Sequence, residues 1–425
     1  MIVWGRGAHI QLFVEVFFLK YIINNSLVLR EGHILRKYEK LQRFIYSLSH
    51  LISPLLLDKY SFSTAQAPDL DFPYMVMSNH TTEADMIMLM RAFKKHMYFV
   101  CGEHLLRSRF GPVIRKLFDP IPAPRGGSMQ TTVKEILRRI ANGNNIMMFP
   151  EGSRSFTGVT YEATPAAGKL LKKAHCGLVT YRMHGGYFIA PRWAYHFRRG
   201  HAEGEIVNIY TPEQISKMSS GEITGAINRD LAENAYDRQE KKAYIYSAKG
   251  LAEGLENILI ICPRCGSYDS VIAKGDRFKC KCCGLGGKMD EYGFLKGDGL
   301  PFSRVDSYSD WLSARFDSDM EKTDPDKPVF TEKNIRLYEI FPAEHKTKDI
   351  STGTLKLYKD RMVFGDKEFK FHDIVSMSLL YFGKTFLFTC PDGYFGLTGE
   401  NYHAWKTDRL CRIYKIKQQS CHKIA

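Results

Sequence analysis

The chain has 425 residues and ten cysteines, and its 60 Lys and Arg outnumber its 46 Asp and Glu, for a net charge of +14. That length is more than one hydrophobic core usually organises, so two or three domains are expected, and a hydrophobic fraction of 44% is that of a globular chain rather than a disordered one. Five cysteines crowd between Cys262 and Cys283, which excludes the spacing of a small disulfide-stapled secreted scaffold and points to thiolates on a metal in a reducing compartment.

The charge is uneven. Residues 61–200 hold 19 Lys and Arg against 9 Asp and Glu, a surplus of +10. Such a field favours anionic partners: a phosphorylated acceptor, a CoA-like donor, an anionic membrane face or nucleic acid.

The first fifty residues lack the basic start, clean apolar core and small-residue cleavage site of a secretory signal. Ile10–Leu29 is strongly apolar but is broken by Glu15, Lys20, Asn24 and Asn25, whereas a spanning helix needs about twenty residues with few charges. A second segment repeats Leu41, Phe44, Ile45, Leu48, Leu51, Ile52 and Leu55 at helical spacing, with Arg36, Lys37, Lys40 and Arg43 beside them. Two readings stay open: helices lying in a membrane interface, or a helical pair packed on the soluble core.

From about residue 61, short apolar runs alternate with amphipathic stretches, the pattern of a sheet flanked by helices. Expected strands are Tyr74–Ser78, Met97–Val100, Asn145–Phe149, Leu178–Arg182 and Tyr187–Ala190. Val133, Ile136, Leu137 and Ile140 mark a helix face, with Ser128 as its cap. Thr211-Pro212-Glu213 opens a later helix, and Ser219 with Glu222 forms a capping box that opens another.

Two motifs sit where expected strands give out: Asn79-His80-Thr81-Thr82-Glu83-Ala84-Asp85 and Phe149-Pro150-Glu151-Gly152-Ser153-Arg154-Ser155. Ligands of open α/β sheets bind beyond the carboxyl ends of strands, so His80 and Glu151 are expected on one rim. Imidazole is suited to remove a hydroxyl proton near neutral pH, and a carboxylate on its other nitrogen fixes the tautomer and steadies the imidazolium. Thr82 and Asp85 also have capping-box spacing. Arginine offers a planar fork of donors for phosphate oxygens. His-x-x-x-x-Asp alone is a weak signal: His403 and Asp408 repeat it, without a second motif, and are read as surface residues of a C-terminal helix.

Cys262-Pro-Arg-Cys265-Gly and Cys280-Lys-Cys282-Cys283-Gly form two C-x-x-C knuckles separated by a hairpin at Lys274-Gly275-Asp276. Four thiolates at this spacing suit a closed, structural zinc site, with Cys283 preferred to Cys282 because it completes the knuckle and precedes Gly284. Asp317–Lys327 reads as a linker. Beyond it the period becomes two, with expected strands Thr354–Tyr358, Arg361–Phe364, Lys367–Phe371, Thr385–Thr389 and Tyr394–Thr398, then a helix carrying Trp405, Leu410, Ile413 and Tyr414. This arrangement is similar to pleckstrin-homology or GRAM-like domains.

The two long motifs, in this order and near this spacing, resemble those of the glycerophospholipid acyltransferase family, whose best-known members are the lysophosphatidic acid acyltransferases. The resemblance covers about residues 70–200 and implies His80 and Asp85 as the catalytic pair, with direct transfer and no acylated Ser78 or Ser153. It implies that Glu151, Gly152, Ser153 and Arg154 bind the acceptor. Arg125, in Ile121-Pro-Ala-Pro-Arg125-Gly-Gly-Ser128, takes the place of a third motif, and Ile189-Ala190-Pro191 that of a fourth. Thr164–Lys169 departs from the family's basic string, and Arg192 after the fourth motif is unusual.

The expected architecture is therefore α/β: a membrane-associated helical segment (1–60), an acyltransferase domain with a mixed sheet flanked by helices (61–255), a zinc-ribbon module (256–316), a linker (317–328) and a small mainly-β domain with a C-terminal helix (329–425). The expected activity moves a fatty acyl group from acyl-CoA or an acyl carrier protein thioester to the hydroxyl of 1-acyl-glycerol-3-phosphate, at the cytoplasmic face of a membrane and with no nucleic acid partner. The alternatives are another lysophospholipid or lyso-aminolipid acceptor, or a catalytically degenerate membrane-surface or nucleic-acid-binding protein.

Overall fold

The computed structural model describes residues 34–422 except Arg109, Arg125, Gly126, Gly127 and Ala343. The Ile10–Leu29 segment lies outside the described residues, as does Arg125.

Helix α1 (Ile34–Leu57) comes first. It turns Ile45, Tyr46, Ser49 and Ser53 inward, where Tyr46 Oη donates to the Phe93 carbonyl at 2.9 Å. Phe44, Leu51 and Leu55 lie on its other side, 63%, 75% and 79% exposed. Seven- and four-residue steps put these three on one helical face. Among the described residues no helix is long and apolar enough to cross a membrane.

The catalytic-motif region runs β1 (Ser63–Thr64), β2 (Tyr74–Ser78), α2 (Asp85–Ala92), β3 (Met97–Gly102), α3 (Glu103–Leu106), α4 (Gly111–Phe118), β4 (Ile121–Ala123), α5 (Gln130–Ala141) and β5 (Asn145–Met148). It continues through α6 (Pro165–Ala174), β6 (Gly177–His184), α7 (Gly186–Ile189), β7 (Glu203–Tyr210), α8 (Pro212–Lys217), α9 (Ser220–Leu231) and α10 (Ala235–Lys242). The seven strands form one sheet in the order β1-β7-β6-β2-β5-β3-β4. Only β6 and β7 pair antiparallel, so the sheet is mixed, as expected.

Strand β2 is buried at every residue because both faces of the sheet are covered. Alternation divides it: Met75 and Met77 join Ile136 and Ile140 of α5, Leu171 of α6 and Ile223 and Ile227 of α9, while Tyr74 and Val76 join Met88 and Leu89 of α2 and Tyr46 of α1. A fully buried side chain such as Leu171 contributes about 1.5–3 kcal/mol, and truncating it to Ala costs about 2–5 kcal/mol. Both helix starts hold: Ser219 opens α9 with the expected capping box, and Thr211 opens α8 with a second box, closed by Gln214, that was not read from the sequence.

The cysteine-bearing module follows as β8 (Val271–Lys274), β9 (Arg277–Cys280), β10 (Gly286–Met289) and β11 (Leu295–Lys296), an antiparallel sheet. Helix α11 (Val305–Glu321) comes next, so the expected linker from Asp317 starts inside a helix. Leu312, Phe316 and Met320, spaced four apart and buried, hold that last turn down against the charge of its sequence.

Strands β12 (Phe330–Phe341), β13 (Lys346–Leu357), β14 (Arg361–Phe364), β15 (Lys367–Lys370), β16 (Ser376–Leu380), β17 (Thr385–Cys390) and β18 (Gly393–Thr398) form a second, antiparallel seven-stranded sheet. Helix α12 (Ala404–His422) closes the described chain. The expectation of a β-rich C-terminal region holds, with β12 and β16 beyond the strands read from sequence.

Two local expectations fail. Tyr187–Ala190 is not a strand: Gly185, at φ +77°, turns the chain into α7, and Tyr187 and Phe188 pack edge-on against Tyr236. His403 and Asp408 are not open surface residues: the His403 side chain is 12% exposed and meets Asp269 at 3.2 Å, and Asp408 is buried and pairs with Arg412 at 2.7 Å. The two are held by different partners, His403 by Asp269 of the cysteine-bearing region and Asp408 by Arg412 one turn along α12.

Candidate active site

Strands β2 and β5 are parallel neighbours, with Met77 opposite Met148, so both motif loops leave the same rim of the sheet. Asn79 fixes the first loop to the end of β6: its side chain donates to the Met183 carbonyl at 2.8 Å and accepts from the Met183 N–H at 2.7 Å. The turn into α7 approaches so closely that a Cβ on Gly186 would lie 2.2 Å from Thr81 Oγ1. Only glycine fits there.

His80 Nδ1 meets Asp85 Oδ2 at 2.8 Å, and the imidazole stacks on Phe149 with centroids 4.0 Å apart and planes 10° from parallel. Asp85 is fully buried and also accepts from the N–H groups of Thr81 and Thr82 and from Thr81 Oγ1. With Asp85 accepting, Nδ1 carries the hydrogen and Nε2 presents its lone pair. Helix α2 begins at Asp85 with Ala84 before it, so the expected Thr82 to Asp85 capping box does not form. The carboxylate instead folds back over the preceding turn, because those N–H groups and the imidazole all need an acceptor in a dry site.

The second motif is stitched to the first. Glu151 Oε1 accepts from the His80 N–H at 2.6 Å, Glu151 Oε2 from the Tyr161 N–H at 2.8 Å, and the Ser155 N–H donates to the His80 carbonyl at 3.1 Å. Expected to bind acceptor, Glu151 is thus also a brace between loops. Burial pushes its carboxyl up to about 8, against the opposing pull of those two N–H donors. Gly152, exposed at φ +70°, makes the left-handed turn that a side chain would strain. Ser153 Oγ accepts from Arg192 Nη1 at 2.7 Å.

Arg154 Nη2 pairs with Glu83 Oε1 at 2.6 Å. The second atoms of both groups, Arg154 Nη1 and Glu83 Oε2, are buried with no hydrogen-bond partner. Glu83 lay in plain view inside the first motif, but nothing in its spacing announced the pairing.

A small cavity lies behind these loops, lined by His80, Glu151, Ser155, Tyr187 and Glu233 among others. Glu233, with no sequence signal of its own, holds His184 Nδ1 at 2.7 Å while its Oε1 is buried without a partner. Arg192, flagged only as unusual, donates to Ser153, to the Arg154 carbonyl at 3.2 Å and to the Leu379 carbonyl of β16.

The sulfurs of Cys262, Cys265, Cys280 and Cys283 all lie within 4.8 Å of one another, with Cys262 to Cys283 at 3.6 Å and Cys265 to Cys280 at 3.7 Å. Thiolates about 2.3 Å from a tetrahedral zinc would be roughly 3.8 Å apart, so the donor set can hold such an ion. The knuckles match: Gly266 N–H closes onto the Cys262 carbonyl and Gly284 N–H onto the Cys280 carbonyl, with φ +72° and +75° at the two glycines. Cys282 is exposed and outside the cluster.

Residues 62–190 match the model of the Acyltransferase family, a span that contains His80, Asp85 and the whole second motif. This part of the chain is similar to that family. Among solved structures, the chain is similar to the 1-acyl-sn-glycerophosphate (LPA) acyltransferase PlsC from Thermotoga maritima, at 15% identity and a TM-score of 0.40, over 49% of this chain and 87% of that one. No curated protein matches it.

Proposed function

We propose that the protein moves a fatty acyl group from acyl-CoA or an acyl carrier protein thioester to the free hydroxyl of 1-acyl-glycerol-3-phosphate or of another lysophospholipid. The observation that carries this reading is the His80–Asp85 pair at 2.8 Å, on a rim that also bears Arg154. His80 Nε2 takes the hydroxyl proton as the oxygen attacks the thioester carbonyl. The new C–O bond forms, the C–S bond breaks, and the imidazolium returns the proton to the departing thiolate. Asp85 steadies the charged ring, Arg154 binds the acceptor phosphate, and Gly152 and Ser153 shape that turn. Arg125 is assigned to the same anion by motif position.

The exposed face of Phe44, Leu51 and Leu55 supports seating on the cytoplasmic face of a membrane, which would bring the lipid acceptor to the rim. The four-cysteine cluster is read as a structural zinc site. The β-rich C-terminal region is read as a pleckstrin-homology or GRAM-like module.

The test is release of free thiol by the full chain from palmitoyl-CoA and from a palmitoyl carrier protein, with and without 1-acyl-glycerol-3-phosphate and other lysophospholipids. The expected result is acceptor-dependent thiol with an equal amount of diacylated lipid. Thioester loss that no lysophospholipid accelerates would overturn the reading.

A further inference from the structure

The acceptor-phosphate arginine is already half engaged. Its Nη2 is closed by Glu83, and the pair leaves one buried donor, Arg154 Nη1, and one buried acceptor, Glu83 Oε2, neither with a hydrogen-bond partner among the described residues. Buried polar atoms normally find hydrogen-bond partners, so two unsatisfied atoms of opposite polarity on one ion pair define what a ligand must bring. It must offer an anionic acceptor to Arg154 and a cationic donor to Glu83. A phosphate monoester meets only the first need, and its dianion would face the Glu83 carboxylate at close range.

We propose that the Glu83–Arg154 pair reads a zwitterionic headgroup, and that the acceptor is a lysophospholipid whose phosphodiester carries a primary ammonium group. This rests on the acyltransferase reading above and names the substrate class of that same site. The phosphodiester oxygen takes the Arg154 Nη1 hydrogen, the ammonium donates to Glu83 Oε2, and the existing ion pair stays intact. Hydrogen bonds to charged groups in such partly buried places are strong enough to set a preference. Both side chains are mostly buried, 17% and 30% exposed, so bulk water competes weakly.

The experiment measures kcat/KM of the full chain with palmitoyl-CoA and three acceptors of equal acyl length: lysophosphatidylethanolamine, its N-acetyl derivative and lysophosphatidate. The expected result is a preference of about tenfold or more for the ammonium-bearing lipid over the other two, from the loss of one charge-assisted hydrogen bond. Glu83→Gln should erase most of that preference by raising KM for lysophosphatidylethanolamine. A wild-type enzyme that favours lysophosphatidate, or that treats the ammonium and N-acetyl lipids alike, overturns the inference and leaves acyl transfer standing. Thioester consumption with none of the three overturns both. The wild-type comparison needs no variant, so poor folding of Glu83→Gln cannot rescue the idea.

Discussion

Arg192 Nη1 donates to Ser153 Oγ at 2.7 Å, and the same guanidinium reaches the Leu379 carbonyl of the C-terminal sheet. One side chain therefore ties the loop of the second motif to a strand whose Leu379 lies 187 residues after Arg192 itself. Phe382 follows that strand and packs edge-on against Tyr195 at 5.2 Å, adding an apolar contact to the same seam. The position is that of a positioning residue, acting through Ser153 and the Arg154 backbone.

Arg192→Ala should lower stability by about 1–3 kcal/mol, because half-buried carbonyl and hydroxyl partners lose the charged donor of a buried guanidinium. Arg192→Lys should recover only part of this, since an ammonium cannot span the same fork. Denaturant titration reads the stability, and steady-state kinetics should show a rise in KM for the lysophospholipid larger than any change in KM for the thioester. Equal changes in both would remove Arg192 from the acceptor loop's support.

His80→Ala should reduce kcat by at least about a hundredfold, the usual worth of a general base. Asp85→Asn should be nearly as damaging for a different reason. An amide cannot satisfy four donors at once, so the variant should also lose about 1–3 kcal/mol of stability. Single-turnover rates with circular dichroism melts separate the two effects, and full activity in either variant would disprove the assignment.

Glu151 gives the protein a pH-dependent stability with a definite sign. Its carboxyl is raised from the ordinary 4.5 to about 8. Between those values the folded chain keeps a proton that the unfolded chain has released. This contribution is fully present below 4.5 and fades as pH rises through 8, with a slope of up to about 1.4 kcal/mol per pH unit. Melting temperatures from pH 5 to 8.5 should show the decline, and Glu151→Gln should flatten it. A variant with the wild-type slope would place the titration elsewhere.

For the cysteine cluster, elemental analysis of purified protein should find about one zinc per chain. Cys265→Ser should lose it, whereas Cys282→Ser should keep it, because the Cys282 sulfur is not in the cluster. The reverse pattern would exchange the fourth ligand.

The legible parts of this molecule were those written in local chemistry. Alternating and continuous apolar runs gave β2 and β5, a Thr-Pro-Glu start gave α8, a capping box gave α9, and matched C-x-x-C-Gly knuckles picked Cys283 over Cys282. His80 and Asp85 were close in sequence and therefore close in space. The misreadings share a cause. Tyr187–Ala190 and the end of α11 took their form from partners far along the chain, Tyr236 in one case and the core beneath Phe316 in the other.

By itself the sequence determined that His80, Asp85, Glu151 and Arg154 fall on one rim of a sheet, because spacing along a strand or a turn is a local property. The tertiary structure alone decided that Glu151 braces two loops, that Glu83 faces Arg154 and that Arg192 joins the second-motif loop to a distant sheet. Those relationships depend on how burial arranges distant segments, and a carboxylate or guanidinium excluded from water takes whichever partner the packing brings within reach.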